Sequence, residues 1–176
     1  MIDVGNLNEF GFRIGPNVVD RLMREVSIFV DGIELTSRDN SVYLPSFVGQ
    51  LERTSRVLKQ KIDYVRYEGL FRDLNVTQIH NLLLHGNRDV VPDERERWSV
   101  TEAHRFADWG ETTDCFAAFL VPYCDCLYLT YQPNDGASPN YTVLDLVDGV
   151  ITTPYYLIAT IDEAVAMLEQ AQQNHT

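Results

Sequence analysis

The sequence predicts one α+β domain over residues 1–176, an antiparallel sheet of an early hairpin plus a C-terminal meander packed with two to three helices. Three observations carry this. Asp31-Gly32 separates two alternating apolar runs, apolar residues recur at helical spacing from Phe47 to Ile62, and the pattern after Phe116 is mostly β until a closing helix. Phe10, Phe12 and Ile14 make a first short strand that is expected to stop at Gly15-Pro16. Val26, Ile28 and Val30 lead into Asp31-Gly32, and Ile33 and Leu35 return. Asp-Gly suits the tight hairpin turn whose two central residues both need positive φ. A strand at Val42–Leu44 precedes a helix that places Pro45 in its first turn and runs to about Lys61 or Tyr64. Phe47, Val48, Leu51, Leu58 and Ile62 share its apolar face, and Arg53, Arg56, Lys59 and Lys61 occupy the others. A second helix spans Val76 to His85 with Ile79, Leu82 and Leu83 inward and Gly86 just past its end.

Residues 87–97, NRDVVPDERER, read as a surface loop or lid. Arg105 to Trp109 is expected to be extended. The run from Phe116 to Tyr123 is almost continuously apolar, as in a strand buried on both faces, with Pro122 at a bulge or strand end. A tight segment at Cys124–Cys126 leads to Leu127–Tyr131, and Gln132–Asn140 is turn-rich. Tyr141–Val147 alternates, Asp148-Gly149 is expected to turn, and Val150–Ile158 to return as a strand broken at Pro154. Thr160-Ile161-Asp162-Glu163 has the form of a capping box opening a helix packed through Ala164, Val165, Leu168 and Ala171. No internal repeat is present.

Charge is divided along the chain. Every Lys and Arg lies at or before Arg105, and the rest holds ten acids: Asp108, Glu111, Asp114, Asp125, Asp135, Asp145, Asp148, Asp162, Glu163 and Glu169. The first 105 residues hold 16 acids and 14 bases, so nearly all of the net −12 sits in the second part. Such a field serves solubility or steers a cationic partner. It argues against nucleic-acid binding, which needs clustered Lys and Arg. The N-terminus has no secretory pattern and no apolar run is long enough for a membrane span, so the expectation is a soluble cytoplasmic protein.

No catalytic pattern emerges. Cys115, Cys124 and Cys126 read as free thiols: the pair at 124 and 126 is not C-x-x-C, and no second pair follows at zinc spacing. His80 and His85 are five apart and point in different directions on one helix. A Cys115, His104, Asp108 nucleophile can be drawn, without a local signature to support it. There is no phosphate loop, nucleophile elbow or dinucleotide glycine motif. The expectation is no cofactor, no metal and no enzyme activity. Binding is left, through acids interleaved with aromatics: Asp108, Trp109, Glu111, Asp114, Asp125 and Asp135. Trp109, flanked by Asp108, Gly110 and Glu111, is expected to be the exposed aromatic anchor, and Asp135 a rim position.

The stretch HRFADWGETTDCFAAFLVPYCDCLYLTYQ (His104 to Gln132), with VSIFVDGIELTSRDNSVYLPSFVGQLERT (Val26 to Thr54), resembles bacterial polymorphic-toxin immunity proteins of the contact-dependent growth inhibition type. The resemblance implies a cytoplasmic protein that binds and neutralises a cognate toxin C-terminal domain, often a nuclease. Contact residues vary between such pairs, so the resemblance assigns none here. The acidity agrees with a basic, nuclease-type partner. Two other readings stand beside it, a small enzyme using Cys115 or His104, and an acidic adaptor subunit.

Overall fold

The computed structural model describes residues 1–17, 22–36, 40–60, 63–110, 112–123, 126–133 and 147–173, and the architecture is α+β with two antiparallel sheets and four α-helices among them. The first sheet holds β1 (Ile2–Asn6), β2 (Phe10–Asn17), β3 (Met23–Val30), β4 (Ile33–Glu34) and β5 (Ser41–Tyr43). Its order is β1-β2-β3-β4, with β5 also paired to β3. Register follows alternation: Phe10, Phe12 and Ile14 lie opposite Val30, Ile28 and Val26, all buried on one face. On the other face Arg13 covers the Phe29 ring at 5.1 Å and pairs with Asp3 at 2.8 Å. The Asp31-Gly32 turn forms as expected, with φ of 53° and 75°. β1 was not anticipated, because only Val4 of its five residues is buried. β2 does not stop at Gly15-Pro16. The register shifts there, where Pro lacks an N–H, and pairing resumes at Asn17 opposite Arg24.

The basic helix α1 runs Leu44–Lys59 and buries Phe47, Val48, Leu51, Ser55 and Leu58. A 3-10 helix at Asp63–Phe71, also unanticipated, leads to α2 (Val76–His85). Asn75 and Gln78 close a reciprocal capping box on α2, and Gly86 ends it at φ 70°. The expected loop at 87–97 is corrected: from Glu94 the chain is helical, as α3 (Glu94–His104), with Asp93 accepting from the Glu96 N–H. Only Val100 and His104 of α3 are buried, so its apolar face is too narrow to show in the sequence.

The second sheet follows the order β6 (Arg105–Phe106), β7 (Phe116–Tyr123), β8 (Cys126–Pro133), β9 (Asp148–Thr152). β7 is buried on both faces, as its apolar run implied. Phe116, Ala118 and Leu120 join the main core, while Phe119 and Val121 meet a second core formed with the 3-10 helix, α2 and α3. Asp148-Gly149 lies within β9 rather than in a turn, and the expected strand at Tyr141–Val147 lies outside the described residues except for Val147, which precedes β9.

The last helix, α4, spans Pro154–Gln173 and begins six residues before the expected capping box. Pro154 therefore opens a helix instead of breaking a strand, and Thr153 accepts from the Tyr156 and Leu157 N–H groups through its hydroxyl and carbonyl. Thr160 is buried in the helix interior. Asp162 leaves the cap role and reaches α1, accepting from Ser55 Oγ at 2.6 Å and Lys59 Nζ at 2.7 Å. Burial works to raise this carboxyl, and the Lys59 and Ser55 hydrogen bonds outweigh it, holding it below the ordinary carboxylate range. On its other side α4 meets the first sheet. Tyr156 Oη accepts from the Asn6 N–H at 2.7 Å and donates to the Phe10 carbonyl at 2.8 Å.

Candidate functional site

The segment leaving α3, residues Arg105 to Asp108, lines two hollows in the surface. His104 ends α3 fully buried, its Nδ1–H donating to the Val100 carbonyl at 2.7 Å and its ring edge-on to Phe71 at 5.1 Å. Phe106 is anchored by pairing with Ala118 across β6 and β7. Ala107 then takes a left-handed conformation, φ 59°, which is costly for a residue with a Cβ. That reversal sends Asp108 into solvent and Trp109 inward.

Trp109 is corrected from exposed anchor to core residue. It is 3% exposed and meets the rings of Phe10, Phe12, Phe47 and Phe106, which come from β2, α1 and β6. Its indole N–H donates to Thr54 Oγ1 at 2.9 Å, and its backbone N–H donates to Thr113 Oγ1 at 2.9 Å. An extended chain alternates its side chains, which with Phe106 inward would turn Trp109 outward; the left-handed Ala107 breaks that alternation and turns Trp109 inward. Asp108 and Asp114 are both exposed and line one hollow of about 250 Å³ above the start of β7. Glu111, Asp125 and Asp135 lie outside the described residues.

Asp108 also borders a larger groove, about 620 Å³, between the C-terminal half of α1 and the α3–β6 junction. Arg53, Thr54 and Val57 form the α1 wall, and Glu102, Arg105 and Asp108 the opposite one. Arg105 lies 3.0 Å from Glu102 and 3.7 Å from Asp108, so that wall carries two carboxylates for one guanidinium. The Arg53 side chain is exposed and makes no ion pair or hydrogen bond among the described residues. Gln50, at the groove's edge, keeps its Oε1 buried without a donor among them. Sequence reasoning missed this groove because its walls are about fifty residues apart. The unexplained basic face of α1 was the one available signal.

The drawn nucleophile does not have the properties the chemistry needs. Cys115 donates its thiol to the Leu35 carbonyl at 3.2 Å, and burial pushes that thiol up, so the protonated form prevails at neutral pH. His104 is 1% exposed, out of reach of a substrate. Cys115 and Cys126 are free thiols, and Cys124 lies outside the described residues. Among the described residues no group of three or more His, Cys, Asp or Glu is placed to hold a metal ion, and no helix is long and apolar enough to cross a membrane.

The exposed acids Asp108 and Asp114 and the mixed-charge groove are open to solvent, while His80 and His104 are sealed in cores. No protein-family model matches the chain, and no curated protein matches it in sequence. Among solved structures it is similar to the crystal structure of CdiI from Burkholderia dolosa AUO158. The two share 13% identity at a TM-score of 0.57, over 94% of this chain and 99% of that one. At this identity the likeness shows a shared fold.

Proposed function

We propose that the chain is a single immunity-like domain over residues 1–176 that binds and neutralises a cognate toxin domain in the cytoplasm, without catalysis of its own. The observation that carries this is the fold shared with CdiI, an immunity protein of contact-dependent growth inhibition, over nearly the full length of both chains. Two features support it. One hydrophobic core joins both sheets, α1 and α4, as a single folding unit requires. The net charge of −12 suits a basic, nuclease-type partner, whose phosphate surface an acidic inhibitor can occupy. Asp108 and Asp114 are the contact acids of this reading, with Glu111, Asp125 and Asp135 as further candidates and Trp109 holding the Asp108 segment rigid from within.

The test is co-expression with the C-terminal domain encoded by the open reading frame immediately upstream, scored by survival. Cells carrying this chain are expected to survive where empty-vector cells die. Equal death in both sets the immunity reading aside.

A further inference from the structure

Resting on the immunity reading, we infer that the groove between α1 and the α3–β6 junction seats a segment of the toxin domain that carries a basic and an acidic side chain in opposed positions. The walls differ in sign. Arg53 on α1 has no charge partner among the described residues, while the facing wall sets Glu102 and Asp108 around the one guanidinium of Arg105. A segment with a carboxylate toward α1 and a cation toward Asp108 is complementary to both walls, and the reverse orientation is repelled at both.

Apolar anchors flank these charges. Val57, on the α1 wall, is 44% exposed. Trp98 is 66% exposed and stands one turn before Glu102 on the same face of α3, about 6 Å along the axis. A tryptophan left this open on a charged helix, one turn from the groove residue Glu102, has the chemistry of an interface hot spot. The occupant therefore lays apolar side chains on Trp98 and on Val57 and places its charges between the walls.

The experiment uses the full chain and the purified upstream-encoded C-terminal domain, with dissociation rates read by interferometry and survival scored in parallel. Trp98→Ala and Arg53→Glu are each expected to speed dissociation about tenfold or more, whereas Tyr155→Ala, an exposed aromatic outside the groove, changes it less than about twofold. All three positions are exposed, and circular dichroism confirms folding of each variant. If wild type binds and protects but both groove variants dissociate at its rate, the groove assignment is overturned and the immunity reading stands. An Arg53→Glu complex that is tighter than wild type overturns the assigned polarity. If the free chain is a dimer that Trp98→Ala dissociates, the groove seats a second copy and the assignment is likewise overturned. A wild-type chain that neither binds nor protects takes both proposals down together.

Discussion

The imidazole of His80 sits between α2 and β8 with no exposure to water. Thr130 Oγ1 donates to the Phe119 carbonyl at 3.2 Å, so it accepts from His80 Nδ1–H at 2.9 Å, which fixes the tautomer. Nε2 is left buried with no partner among the described residues. Burial, reinforced by His85, pushes the group down to about 4. The unfolded imidazole titrates near 6.5, so the unfolded chain takes up the proton first. Stability from this site is therefore complete above about pH 6.5, falls as the pH drops, and is lost by about pH 4, a total of roughly 3 kcal/mol. Urea titrations of wild type and His80→Asn between pH 7 and 5 test this. Asn keeps a donor for Thr130 and does not titrate, so its stability is expected to change much less over that window. Equal slopes in the two proteins would remove His80 as the cause. In sequence His80 was one scattered histidine among four. Nothing local distinguished it, because its isolation is made by Phe119 and Thr130, forty to fifty residues away.

At the scale of elements, the hairpin and α2 were legible because their determinants are local: Asp31-Gly32 sets its own turn, and Ile79, Leu82 and Leu83 set their own stripe. α3 and the start of α4 were not. A narrow buried face hid the first, and Pro154 admits either a strand break or a helix opening until its surroundings are known. The contact of β1 with α4 was equally invisible. Gly5 adopts φ +72°, and a Cβ there would stand 2.6 Å from Thr160 Cγ2 and 2.7 Å from the Phe10 carbonyl oxygen. Gly5→Ala is therefore expected to cost about 2–4 kcal/mol, from left-handed strain and overpacking together. Adding Thr160→Ser removes the methyl and should recover only part, since the carbonyl and the φ persist. Chemical denaturation of both variants checks this. Full recovery in the double variant would place the whole cost on Thr160.

For the molecule as a whole, the division of charge was plain in the sequence, whereas the groove and the burial of Trp109 needed the assembled fold. If the acidic part meets a basic toxin domain, its carboxylates act before contact. Association is expected to be fast at low ionic strength, up to about 10⁸–10⁹ M⁻¹s⁻¹, and to slow steeply as salt shortens the Debye length. Asp114→Asn, at an exposed position outside the groove, should lower the on-rate with little effect on the off-rate, and Asp108→Asn, which also removes the carboxylate facing the groove's occupant, should lower the on-rate and speed dissociation as well. Stopped-flow association across a salt series decides it. On-rates indifferent to salt and to both substitutions would leave the acidity to solubility alone.

The hydroxyl of Tyr156 ties Asn6 and Phe10 across sequence separations of 150 and 146 residues, and this sets an order of events on the ribosome. At about 5–20 residues per second, the first hairpin emerges about 7–30 s before the helix that covers it has been made. Phe10 and Phe12 can gain Phe106 and Trp109 earlier, so it is the edge strand β1 that waits longest for α4. A ribosome that stalls before Tyr156 releases a chain whose first sheet lacks its α4 contacts, a substrate for quality control.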